Sequence, residues 1–176
     1  MIDPRDEQAI RAAAFEFRKI SLMAETLFEA LAALSPWIKK RGLAEIKNLK
    51  KAAQVGPAGL KKALKGYNYR PDVFNYVPPS WVTAFKKFDD CDGSAFLIAE
   101  VFTGGRIYCI VEVDGGEIRN FEQWHFVYHD QAGGVWSNFR YKGHETIQGY
   151  ARKYNSRYTH LVWVTKKIQI RKILEG

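Results

Sequence analysis

Only two cysteines, six prolines and two methionines occur in 176 residues, and the 19 acidic side chains are outnumbered by 27 lysines and arginines. Two cysteines allow at most one bridge, which excludes a disulfide-stapled secreted scaffold. No Cys-x-x-Cys occurs, and the four histidines lack paired ligand spacing apart from His125 and His129, so neither a metal site nor a cofactor is expected. No apolar run approaches the roughly 18–20 residues that a spanning helix requires, which argues against a membrane protein. The N-terminus, Met-Ile-Asp-Pro-Arg-Asp-Glu-Gln, lacks the basic-then-apolar plan of a secretory signal. The expectation is a cytoplasmic protein. With 47% apolar and 14% aromatic residues the chain can fill a core, so wholesale disorder is not expected.

The scarcity of acids is uneven. Residues 37–66 hold nine Lys/Arg against Glu45 alone, and residues 140–176 hold nine against Glu145 and Glu175. Such a surface suits an acidic protein or nucleic acid, whereas the plainer reading is a solvated lysine-rich helix face. Aromatic residues Tyr67, Tyr69, Phe74 and Tyr76 beside the basic stretch would suit a single strand, or would simply pack over a neighbouring helix.

Periodicity divides the chain near residue 66. Asp3-Pro4 reads as a cap followed by proline at the first helical position, and Ile10, Ala14, Phe17, Ile20, Met23, Leu27 and Leu31 recur at helical spacing. That stripe is core or partner-facing surface. Ser35-Pro36 ends this helix and caps the next. Gly56-Pro57 breaks again before a short helix over 58–65. We therefore read residues 1–66 as an N-terminal helical extension and 67–176 as the core. Within the core, Ser80 caps a short helix over 81–88, and a second helix runs over 91–102. The period then changes to two: strands are expected over 107–113, 124–129 and 135–141, a helix over 146–154, and over 161–165 and 169–173 either two final strands or a strand with a tail. In the first strand Cys109 shares a face with Ile107, Val111 and Val113, which reads as a small buried hydrophobe. Helices followed by antiparallel strands make the fold class α+β.

The most informative segment is Asp89-Asp90-Cys91-Asp92-Gly93-Ser94-Ala95-Phe96. It puts a thiol in the first turn of a helix, where unpaired N–H groups and the helix dipole favour thiolate. A Trp124-His125 pair opens a strand some way downstream, offering an imidazole from a different element. The stretch Asp90 to Ala95 resembles the Gly-Asp-Cys-Asp-Asp-Phe-Ala box of transglutaminase-like cysteine peptidases in the papain-like superfamily. Segment 76–88 resembles that family's lead-in, Trp124 to Tyr128 its histidine strand, and Gly133-Gly134-Val135-Trp136-Ser137-Asn138 its Gly–Trp hairpin. The likeness covers roughly residues 67–165. It departs from the family pattern at Asp89, where glycine is usual, and at Gly93-Ser94, where Asp-Phe is common.

The resemblance implies a papain/transglutaminase-like core, with a nucleophile helix packed on an antiparallel sheet. It makes Cys91 the nucleophile, His125 its base and Asn138 the residue that orients the imidazole, a task asparagine performs by accepting a ring N–H. Asp130, in a turn, is the poorer orienter. Asp90 and Asp92 oppose a thiolate unless they cap the helix or face solvent. Oxyanion or substrate-cleft candidates are Trp81, Asp90 and Trp124, beside the Cys91 backbone N–H. His129, His144 and His160 are read as surface or hydrogen-bonding residues. The implied function is a cysteine hydrolase that cleaves an amide, isopeptide or thioester bond of a protein or peptide through an acyl-enzyme. The alternatives are acyl transfer to an amine, and a non-catalytic module of the same shape that binds protein or nucleic acid through its basic helices.

Overall fold

A computed structural model describes residues 2–71, 76–119 and 124–176. Phe74 of the aromatic stretch lies outside them. Helix α1 (Pro4–Leu34) starts where Asp3 accepts the Arg5 N–H at 2.8 Å, with Pro4 presetting the backbone. It ends before Pro36, which cannot donate into a continuing helix and instead opens α2 (Pro36–Gln54). Ser35 sits at this break but its side chain caps nothing, contrary to expectation; the proline alone sets the boundary. Gly56, at φ +97°, turns the chain into α3 (Pro57–Ala63), and a 3-10 turn completes the path to Gly66.

The apolar stripe of α1 has two fates. Ile10, Ala14 and Phe17 are buried, whereas Ile20, Met23, Leu27 and Leu31 are exposed. Ile10 and Phe17 join residues from the rest of the chain in one hydrophobic cluster, and Phe17 stacks on Phe126 at 5.4 Å. Helix α2 meets α4 (Ser80–Lys86) at backbone distance: a Cβ on Gly42 would lie 2.1 Å from the Trp81 carbonyl oxygen. Only glycine permits that approach.

Strands β1 (Asn68–Tyr69) and β2 (Phe88–Asp89) form a short parallel pair beside the start of α5 (Cys91–Val101). The main sheet is antiparallel. Its long central strand β3 (Arg106–Asp114) pairs with β5 (His125–His129) on one side and β8 (His160–Val164) on the other. Beyond β5 lie β6 (Gly134–Ser137) and β7 (Arg140–His144); beyond β8 lies β9 (Ile170–Glu175); and β4 (Glu117–Arg119) pairs with the tip of β3. Helix α5 covers the face carrying Cys109, Val111, Phe126 and Trp136. Helix α6 (Ile147–Tyr154) covers the face carrying Tyr108, Ile110, Val127 and Leu161. Both faces of β3 are thus buried, and Cys109 is a free, buried thiol on the α5 side.

The strand expected over 135–141 is two strands. Asn138 and Phe139 both take positive φ, +50° and +60°, and close a two-residue hairpin between β6 and β7. Asparagine tolerates that conformation; phenylalanine pays about 1–2 kcal/mol for it. Burial of the Phe139 ring, worth about 1.5–3 kcal/mol, and donation of its N–H to Ser94 Oγ at 2.6 Å offset the strain.

Candidate active site

Strands β5 and β6 pair only at Tyr128–Trp136 and His129–Val135. Upstream of those pairs no β5–β6 pairing is formed, and the first residue of α5 lies against the start of β5. The Cys91 thiol donates to the Trp124 carbonyl oxygen at 3.6 Å, and the Phe126 N–H points to the same sulfur. These two backbone groups flank His125, so the sulfur sits against the strand residue that carries the imidazole. Cys91 is partly buried and His125 is 2% exposed.

The imidazole lies on the α6 face of the sheet, as does Ile110, its pairing partner. Nε2 lies 2.9 Å from Ser137 Oγ and 3.5 Å from Tyr150 Oη. Burial pushes the Tyr150 hydroxyl up, and its contact with Ser137 pulls the other way. Nε2 is thus the ring nitrogen engaged by hydroxyls, and no hydrogen bond joins the ring to Cys91 among the described residues. Tyr154, from the last turn of α6, stacks on the ring at 3.8 Å with planes 9° apart. Burial, and then negative charge at Cys91, raise the Tyr154 hydroxyl to about 12.

The resting charge state follows from these surroundings. Burial, followed by the Lys142 ammonium, pushes the His125 pKa down to about 3. Burial, followed by the carboxylates of Asp92 and Asp90, pushes the Cys91 thiol up; the N–H groups of Phe126 and Cys91 pull the other way without prevailing. The pair is therefore neutral thiol beside neutral imidazole, not the thiolate that a helix start alone would favour.

Asp90 caps α5: its Oδ1 accepts the N–H groups of Asp92 and Gly93 at 3.1 and 3.4 Å. This corrects its candidacy for the oxyanion site, since it is an acceptor already in use. The Cys91 N–H, first in the helix, is left out of that cap. Asp89 is fully buried, accepting Thr83 Oγ1 at 2.7 Å with Lys86 Nζ at 3.4 Å, and a Cβ on Gly93 would collide with it at 2.4 Å. That close approach accounts for glycine in the box. Asp92 is buried, and burial first, then its bond to Asp90, favour its protonated form. The three carboxylates offer oxygens within 4.8 Å of one another, the only such cluster among the described residues. Asp89 is engaged by Thr83, Lys86 and the Asp90 N–H and Asp90 by the helix N–H groups, so these two read as the scaffold of the helix start, whereas Asp92 Oδ1 is buried with no hydrogen-bond partner among the described residues.

Three other candidates are placed as follows. Asn138 lies in the β6–β7 turn, and Ser137, one residue earlier, holds the imidazole in its stead. The cause is the hairpin, which ends β6 at Ser137 and turns Asn138 away from the strand geometry. Trp81 is 7% exposed and donates Nε1 to Glu29 at 3.2 Å, which fastens α1 to α4 and occupies the indole donor. Trp124 contributes its carbonyl, as above, and its ring packs against the main cluster. Asp130 organises the β5–β6 turn, accepting Gly134 N–H at 2.7 Å and Trp136 Nε1 at 3.0 Å. His129, His144 and His160 hydrogen-bond to Glu145, Ala132 and Thr159, although His160 is buried and not on the surface.

Ser137, Tyr150 and Tyr154 were absent from the sequence candidates. The two tyrosines had a signal, being four residues apart on one face of α6. Ser137 had only its adjacency to Asn138. No protein-family model, curated protein or solved structure matches this chain.

Proposed function

We propose that this protein is a cysteine hydrolase of the transglutaminase-like kind, cleaving an amide, isopeptide or thioester bond of a protein or peptide. What supports the reading is the Cys91 sulfur at the start of α5, seated on the Trp124 carbonyl and Phe126 N–H that flank His125, whose Nε2 is held by Ser137; no hydrogen bond joins the sulfur to the ring among the described residues, so attack requires the two to approach. As sulfur attacks the acyl carbon, a ring nitrogen of His125 takes the thiol proton, and the carbonyl oxygen becomes the oxyanion. The Cys91 N–H is one donor for that charge. Collapse expels the amine or thiol, which takes the proton from the imidazolium and leaves a thioester on Cys91. Water, deprotonated by the same nitrogen, then releases the acid. An amine in place of water gives acyl transfer, the nearest chemical variant. A free thiol nucleophile fits a reducing compartment, and a cytoplasmic location is part of the proposal. Among the described residues, no helix is long and apolar enough to cross a membrane.

One observation favours a second reading, a non-catalytic binding module. The thiol is pushed away from ionisation, while Lys40, Lys47 and Lys51 follow the solvent side of α2 with no carboxylate partner among the described residues. An acidic protein or nucleic acid would suit that ridge.

The test is acylation by p-nitrophenyl acetate, followed by peptide mapping. The acetyl group is expected on Cys91, with release of p-nitrophenolate, and His125→Ala is expected to slow transfer by about 10²–10⁴-fold. Equal rates in wild type and His125→Ala, or acetylation confined to lysines, would leave the binding reading.

A further inference from the structure

We infer that the cleft between α1, α2 and the β8–β9 turn binds a small anionic amphiphile, its apolar body on Leu22, Ile46, Val77 and Phe96 and its anion among Lys47, Lys50, Lys166 and Lys167. The cleft has a volume of about 790 Å³, inside the range of roughly 300–1,000 Å³ usual for small-molecule sites. It does not depend on the reading of Cys91.

The charges are unbalanced where the lysines meet. Glu100 accepts Lys50 Nζ at 2.6 Å and Lys166 Nζ at 3.1 Å, so both of its oxygens are engaged. Lys47, one turn before Lys50 on the same wall, and Lys167, next to Lys166, have no carboxylate partner among the described residues. Four ammonium groups therefore face one carboxylate at the edge of apolar lining, where an added anion is attracted without displacing a protein group. Arg18 adds to this: its Nε is buried in the wall with no hydrogen-bond partner among the described residues. Of the remaining acids in the lining, Glu29 is held by Lys39 and by Trp81, and Glu25 stands on α1.

The backbone supplies an independent sign of a built site. Ile168 sits at φ +57°, a conformation rare for a β-branched residue. Its N–H bonds to the Thr165 carbonyl, and Thr165 Oγ1 accepts the N–H groups of Lys167 and Gln169. The strained turn, with the Ile168 side chain 7% exposed in the cleft wall, brings Lys166 and Lys167 to the cleft. A glycine would relax the turn but would give up this wall.

Calorimetric titration of the full chain with dodecanoate, dodecyl phosphate, dodecyl maltoside and acetate, all below micelle formation, tests the inference. One anionic amphiphile per chain is expected, bound at least about tenfold more tightly than the neutral maltoside, with acetate weaker still. The two anionic heads distinguish a carboxylate from a phosphate ligand. Lys47→Glu with Lys167→Glu should remove the preference for the anion. Leu22→Gln with Leu43→Gln, both exposed leucines in the lining, should weaken every long-chain ligand while the circular dichroism spectrum stays unchanged. No binding of either anion, equal affinity for the neutral maltoside, or indifference to the lysine reversals would overturn it.

Discussion

Two polar regions meet at the start of α5, and they are built on opposite principles. On one side Asp89 and Asp90 form a carboxyl cradle that caps the helix and is tied down by Thr83, Lys86 and backbone N–H groups. On the other, His125, Ser137 and Tyr150 form an array without formal charge, roofed by Tyr154. Cys91 follows Asp90 at the helix start, and its sulfur meets the backbone of the strand that carries His125. The cradle secures the helix yet works against thiolate, while the array offers a base but no carboxylate to stabilise an imidazolium. Proton transfer during attack, and not a standing ion pair, is what such a site can offer.

The largest expected effect lies in the cradle. Asp89→Ala leaves Lys86, the Thr83 hydroxyl and the Asp90 N–H without their buried acceptor and should cost about 3–5 kcal/mol of stability, read from the urea midpoint. If the loss were small, the cradle would not be the anchor described. Ser137→Ala attacks the array. It should leave the fold intact and lower acyl-transfer turnover by about tenfold to a hundredfold, the equivalent of one hydrogen bond to a charge-developing ring.

Removing a single charge sharpens the contrast. Asp90→Asn, which keeps a capping oxygen, should shift the pH profile of iodoacetamide labelling of Cys91 toward acid by about one pH unit, because a through-space opponent of the thiolate is gone. An unmoved profile would mean that burial alone governs the thiol. The array has its own pH signature. The His125 pKa is depressed in the folded protein, to about 3, so the unfolded chain takes up the proton first as pH falls. Its contribution to stability is thus complete above the ordinary imidazole value near 6.5 and is lost progressively from there down to about 3. Urea midpoints that fall across this window in wild type, and fall less in His125→Phe, would bear this out. The smallest effect is expected at Asn138→Ala: about 1 kcal/mol from the left-handed backbone, with turnover changed by less than about threefold.

That last pair of variants also measures what the sequence conveys. That Cys91 opens α5 and His125 opens β5 was readable because each sits at the start of an element with its own periodicity. The Ser137–Asn138 boundary was hidden because the turn contains no glycine, and Phe139 occupies a conformation that its own chemistry disfavours. Only the tertiary pocket around its ring makes the turn possible. Trp81 misled for a similar reason: its indole partner, Glu29, is 52 residues away in sequence. Helix ends marked by proline were legible, since a missing N–H acts locally. The two fates of the α1 stripe were not, because an apolar spacing reports a face and not what covers it.

The order of the sheet has a consequence for how copies of the chain behave at high concentration. Its outermost members are β7 and β9, and an exposed outer strand can recruit another strand and begin aggregation. Arg140 and Lys142 project from one, and Arg171 and Lys172 from the other, all of them exposed. A ribbon growing by joining β7 of one copy to β9 of the next would bring like charges together at every junction, so the same residues that make the protein basic also keep its sheet from extending.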